Sequence, residues 1–121
     1  MKALRDMVRR FEGKRILVVG DVMVDHYIWG RVSRVSPEAP VPIVEVGKES
    51  QPLGGAGNVV RNLHALGALP VLVGLVGKDD TAEWVAGKMR EDGLEVSGLF
   101  HDPLRPTTIK TRIIGSHQQI V

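Results

Sequence analysis

The sequence predicts an α/β fold, and three observations lead to it. Ile16-Leu17-Val18-Val19-Gly20 and Pro70-Val71-Leu72-Val73-Gly74-Leu75-Val76-Gly77 are continuous apolar runs of strand length, the pattern of strands covered on both faces of a parallel sheet. Asn58, Val59, Val60, Leu63 and Leu66 recur at helical spacing, and so do Ala82, Val85, Ala86 and Met89. Strand, helix, strand, helix in that order means a right-handed parallel βαβ arrangement. With 121 residues, 43% of them hydrophobic and 25% charged, the chain suffices for one modest domain with its own core.

In chain order, Ala3, Leu4, Met7, Val8 and Phe11 share one helical face. Residues 3 to 12 are therefore expected to form a short amphipathic helix that ends at Gly13 and docks on the domain. The run Ile16–Gly20 follows as the candidate central strand. At its carboxyl end stand Asp21 and Asp25, where open α/β sheets hold their ligands. A carboxylate there can accept hydrogen bonds from sugar hydroxyls. Asp25 is the better candidate, because Asp21 serves equally as a turn-former. Residues 26 to 51 break the rhythm: Tyr27–Gly30 and Val41–Val46 read as short strands of a small inserted sheet. Pro40 and Pro42 place the second of them at an edge or bulge. Such an insertion can form a lid over a site or a pairing surface for another subunit.

Leu53-Gly54-Gly55-Ala56-Gly57-Asn58-Val59-Val60 comes next. Its glycines let the backbone turn sharply and let a ligand approach main-chain N–H groups. A helix opening there adds unpaired donors and the positive end of its dipole, which suits a polyhydroxylated or anionic small molecule. The same residues also make a plain strand-to-helix turn with Asn58 as N-cap. After the Gly67 stop and the strand at 70–77, Asp79, Asp80 and Thr81 offer caps to a helix ending at Gly93. Leu94–Phe100 reads as a third strand and His101–Pro106 as a loop. Thr107–Ile114 alternates, with Lys110 and Arg112 on one face. Gly115-Ser116-His117 turns the chain into a returning strand at Gln118 that breaks off at Val121. The sheet is thus expected to be the first part of something larger.

Several functions are excluded or left without support. The net charge is +2, the basic residues are scattered, and the aromatics are two Trp, two Phe and one Tyr, so no nucleic-acid partner is expected. Without cysteine there is no disulfide framework and no thiolate. Charges throughout the first eleven residues exclude a signal-peptide core, and no run is long enough for a membrane span. A cytoplasmic protein with no membrane partner is expected. The dinucleotide fingerprint fails at Val60, and Gly13-Lys14-Arg15, Gly77-Lys78-Asp79 and Gly87-Lys88-Met89 all fail as P-loops. His26, His64, His101 and His117 lack zinc-type spacing, so each is expected to be a surface or satisfied polar residue. No catalytic residue and no metal ligand is identified.

Gly20-Asp21-Val22-Met23-Val24-Asp25, Ser36-Pro37-Glu38-Ala39-Pro40-Val41-Pro42, Gly54-Gly55-Ala56-Gly57-Asn58, Thr108-Ile109-Lys110-Thr111-Arg112 and Gln118-Gln119 together resemble the N-terminal part of the ribokinase-like (PfkB) carbohydrate kinases. Within that family they are most similar to the D-glycero-β-D-manno-heptose 7-phosphate kinases. The resemblance runs from about Arg15 to Val121. Its Gly-Gly-x-x-Asn turn is general to the superfamily, whereas Ser-Pro-Glu-Ala-Pro-Val-Pro is more specific to the heptose kinases.

The resemblance implies a ribokinase-like three-layer sandwich with a small inserted β lid, its strands at about 26–51 and 107–121. Residues 1–121 would form the substrate-binding N-terminal part, without the C-terminal ATP-binding part. It implies that Asp25, Gly54, Gly55 and Asn58 hold the sugar. It places Lys110, Arg112 and Gln118, beside Gln119, on lid strands near the substrate. Lys110 or Arg112 would contact the 7-phosphate, since Arg can grip a phosphate bidentately; either one equally suits a solvated strand face. The implied reaction is transfer of the ATP γ-phosphoryl group, with Mg2+, to the anomeric hydroxyl of heptose 7-phosphate. It lies on the way to ADP-heptose for lipopolysaccharide, in a homodimer joined through lid strands. Gly55-Ala56-Gly57-Asn58 is not the family's catalytic Gly-Ala-Gly-Asp, because an amide cannot act as a base. The base, nucleotide site and metal groups would lie C-terminal, so residues 1–121 alone are expected to be inactive and to bind no cofactor. Another sugar kinase of the family, such as a ribokinase or fructokinase, and a non-enzymatic dimerising fragment stay open as alternatives.

Overall fold

The computed structural model describes all 121 residues. In order, the elements are α1 (Lys2–Arg9), β1 (Arg15–Val19), β2 (Val22–Val35), β3 (Pro42–Ser50), β4 (Leu53–Gly55), α2 (Ala56–Ala65), β5 (Leu69–Val76), α3 (Asp80–Glu91), β6 (Leu99–His101), β7 (Thr108–Gly115) and β8 (Gln118–Gln119). They form two compact units, Met1–Val24 with Leu53–Thr108, and Asp25–Pro52 with Ile109–Val121. No helix is long and apolar enough to cross a membrane.

The first unit holds a three-stranded parallel sheet in the order β1-β5-β6, the expected βαβ arrangement. Alternation along β5 sends Leu72 and Val76 to one face. There they join Val60 of α2 with Val85, Ala86 and Met89 of α3 in a single buried core. The opposite face carries Leu17, Val19, Leu75 and Phe100, all exposed. The reading of β1 as a central strand covered on both faces is therefore corrected. β5 is central, β1 is at an edge, and the helices of this chain cover one face. The third strand is also shorter than expected. Glu95 makes only an isolated bridge to Val71, because a turn with Ser97 N–H bonded to Glu95 Oε1 and Leu99 N–H to the Val96 carbonyl delays pairing until Leu99. Nor is α1 docked as expected, since none of its residues is buried.

Asp79 caps α3 by accepting from the Ala82 N–H at 2.8 Å. It also accepts from both the backbone N–H and the hydroxyl of Thr107, each at 2.7 Å. The Thr107 hydroxyl in turn accepts from the Gly77 N–H at 2.8 Å. Thr107 is the one buried polar residue of the unit, and this closed set of bonds satisfies it. The Thr107 N–H, then its hydroxyl and the Ala82 N–H, stabilise the carboxylate and hold the Asp79 carboxyl below its usual range.

In the second unit the strand order is β3-β2-β7-β8. β3 runs antiparallel to β2 with two register shifts, and its edge position accommodates Pro42, which has no N–H to donate. β7 and β8 form a hairpin whose two central residues, Ser116 and His117, have φ of 48° and 75°, as a type I′ turn requires.

Candidate functional site

The glycine turn belongs to the first unit. Val22, Met23 and Val24 pair antiparallel with Gly55, Gly54 and Leu53, and the Ala56 N–H donates to the Asp21 carbonyl at 2.8 Å. Asp21 thus acts as a turn-former through its backbone. Gly55 sits at φ 55°, ψ −132° as the N-cap of α2. A Cβ there would collide with the Asp21 carbonyl, so the position needs glycine. The helix opens at Ala56, three residues earlier than an Asn58 cap would have it. Asn58 instead lies exposed in the first turn, while Gly54 is buried in the short strand.

Asp25, Lys110 and Arg112 meet in the second unit. Strand alternation places Asp25, Tyr27 and Trp29 on one face of β2, and Lys110 and Arg112 on one face of β7. Asp25 Oδ1 accepts from Lys110 Nζ at 2.9 Å and from Arg112 Nη1 at 3.1 Å. The Asp25 side chain is 16% exposed, against 45% for Lys110 and 28% for Arg112, so these are half-sheltered pairs rather than loose surface ones. Burial opposes ionisation of Asp25. Hydrogen bonds from Lys110 and Arg112, together with their charges, outweigh it and hold the carboxyl below its usual range. Because the folded-state pKa is depressed, the stabilisation is present above the unfolded carboxylate value. It is lost as pH falls through the folded one. Two cations facing one carboxylate give the cluster a net positive charge.

Arg112 Nη1 also donates to Tyr27 Oη at 3.1 Å, with the guanidinium 5.2 Å from the Tyr27 ring centroid. Neither Tyr27 nor Trp29 stands among the residues expected from sequence. Their i, i+2, i+4 spacing from Asp25 was the signal, concealed because β2 was expected to begin only at Tyr27. Gln118 pairs with Gly115 at the hairpin end and is exposed. His26 bonds Glu49 Oε2 at 2.8 Å, and His101 Nδ1 donates to the Gly77 carbonyl at 3.0 Å. No group of three or more His, Cys, Asp or Glu is placed to hold a metal ion.

Comparison with known proteins covers nearly the whole chain. Residues 14–121 match the pfkB family carbohydrate kinase. The bifunctional protein HldE of Caulobacter vibrioides is 55% identical over 120 residues, which is 98% of this chain and 25% of that protein. HldE of Helicobacter hepaticus is 50% identical over 107 residues, 88% of this chain and 22% of that one. The chain thus spans about a quarter of the length of these relatives. Among solved structures, a carbohydrate kinase from Agrobacterium tumefaciens superposes with a TM-score of 0.70 at 28% identity, over 89% of this chain and 34% of that one. A nucleoside kinase of the ribokinase family from Methanocaldococcus jannaschii gives 0.68 at 18% identity over 90% and 36%, a likeness of fold alone.

Proposed function

The chain belongs to the pfkB family of carbohydrate kinases. On that premise we propose that it is the sugar-binding N-terminal portion of a cytoplasmic kinase that phosphorylates heptose 7-phosphate at the anomeric hydroxyl with ATP. One observation carries this reading: Asp25, kept ionised between Lys110 and Arg112. An ionised carboxylate accepts hydrogen bonds from sugar hydroxyls, and the surplus positive charge favours a ligand that also carries phosphate. The identity to HldE proteins across almost all of the chain supports the heptose class. Separately, in the first unit, the Gly54-Gly55 turn and Asn58 are proposed as sugar contacts on the strength of the family resemblance.

The role of these residues is to bind and orient the acceptor. In this family the phosphoryl donor is ATP with Mg2+, which supplies the transferring group and neutralises its charge. No three His, Cys, Asp or Glu side chains are gathered here into a metal site, and no nucleotide site is drawn from these residues. Those parts are assigned to the remainder of the kinase.

A thermal-shift titration with D-glycero-β-D-manno-heptose 7-phosphate tests the reading. A ligand confined to the folded state adds RT ln(1 + [L]/Kd), about 2.7 kcal/mol at a hundredfold excess over Kd. A clear rise in Tm with heptose 7-phosphate, and a smaller one with ribose or fructose 6-phosphate, is expected. A larger rise with either control would move the assignment to another sugar, and no rise with any of the three would remove it.

The reading extends to assembly. β3 stands at the edge of its sheet with Val46 exposed beside it, and an edge of this kind pairs readily with a second strand. Two copies are expected to associate through it. Sedimentation velocity that shows only monomer, with and without sugar phosphate, would discard this part.

A further inference from the structure

The contacts around Arg112 continue into a row of two stacked rings with a cation at each end. The Tyr27 and Trp29 rings stack with centroids 5.4 Å apart and 15° between their planes. Lys48 Nζ lies 5.3 Å from the Trp29 ring centroid. A cation therefore adjoins each ring, Arg112 at Tyr27 and Lys48 at Trp29. Backbone register builds this arrangement. Lys48 is the direct partner of Trp29 across β2 and β3, and Gly30 then pairs with Val46, leaving Gly47 as the extra residue of a bulge. Continued without the bulge, the register beyond Gly30 would set Gly47 opposite Trp29, with no cation to offer. At Gly30 itself a Cβ would collide with the Glu45 carbonyl, so the strands close tightly at this point.

A half-exposed arginine ordinarily samples many rotamers, and fixing one costs conformational entropy. Here a flat ring and a hydroxyl restrict the guanidinium, and the ring is itself restricted by the next one. Both polar contacts of Arg112 use Nη1. The other donors of its planar fork are the ones an incoming phosphate oxygen would meet. We infer that Trp29 is a positioning residue for Arg112: stacked on Tyr27 and backed by Lys48, it holds the guanidinium beside Asp25 in the orientation that grips an anionic group of the ligand. The geometry stands by itself; the identity of the anion as a sugar phosphate rests on the function proposed above.

The test uses the full chain and two readouts. In 15N spectra of arginine side chains, the Arg112 Nε–H resonance, assigned by its loss in Arg112→Lys, should carry a ring-current shift. Trp29→Ala should move it toward the position of a solvated arginine, and Trp29→Phe should restore most of the shift. By calorimetry, Trp29→Ala should weaken heptose 7-phosphate by about tenfold, between the exposed and the desolvated strength of one cation–π contact, while changing the affinity for the unphosphorylated heptose far less. An Arg112 resonance unmoved in a folded Trp29→Ala chain would overturn the inference. Should Trp29→Ala fail to fold, Lys48→Met removes only the outer cation, and an unmoved resonance there would overturn it too. If the resonance moves as expected but the unaltered chain binds no heptose 7-phosphate, the positioning role stands and the substrate assignment falls.

Discussion

Asp25→Asn is expected to weaken heptose 7-phosphate binding by about ten- to a hundredfold, the size of one hydrogen bond to a charged group. The amide keeps the shape of the side chain but accepts weakly and carries no charge. Lys110 and Arg112, now 2.9 and 3.1 Å from the nearest atom of a carboxylate, would face a neutral group. The cluster would then gain one unit of positive charge, so inorganic phosphate should bind the variant more tightly than the parent chain. Opposite signs for sugar phosphate and bare phosphate distinguish a hydroxyl-binding carboxylate from a general loss of structure. The acid limb of the stability curve supplies a second check. In the parent chain the depressed Asp25 carboxyl contributes stability that disappears as pH falls through its folded pKa. Asp25→Asn lacks that group, so the stability difference between the two proteins should shrink on acidification. Equal losses for both ligands, measured by calorimetry, would exclude the proposed role.

How much of this was legible in the sequence depends on which forces decide each element. α2, β5 and α3 were legible because each buries a stripe, and burial imprints a period on the residues. The Asp79 cap was legible for a local reason, since Asp before a helical run satisfies the first N–H groups. β1 was misread as central because a continuous apolar run records that both faces avoid water without recording which layer covers each. β2 was read too short because Asp25 and His26 are polar and looked like loop. Their side chains are in fact satisfied across the strands, by Lys110, Arg112 and Glu49. Lys110 and Arg112 were found through alternation plus family resemblance. Tyr27 and Trp29 were not, because their role arises from strand register and a bulge, which the pairing of Trp29 with Lys48 and of Gly30 with Val46 sets and local sequence does not.

The two faces of β5 are expected to respond unequally to the same truncation. Leu72 is fully buried among Val60, Val85 and Met89. Leu72→Ala removes three heavy atoms from the middle of that core, so a loss of about 2–5 kcal/mol is expected. For a domain whose whole stability is about 5–15 kcal/mol, that is a large fraction. Leu75, three residues along and on the other face, is 47% exposed, and Leu75→Ala should stay within about 0.5–1 kcal/mol. Urea unfolding of the two variants measures the difference directly. Equal losses would mean that the face with Leu17, Val19 and Phe100 is covered in solution, for instance by self-association. In a ribokinase-like three-layer sandwich a second helical layer lies against such a face. Within a longer kinase, Leu75→Ala is therefore expected to become nearly as costly as Leu72→Ala. The apolar character of odd and even residues alike in β5 then has one physical reason: both faces are meant for burial, and the helices of these 121 residues cover one of them.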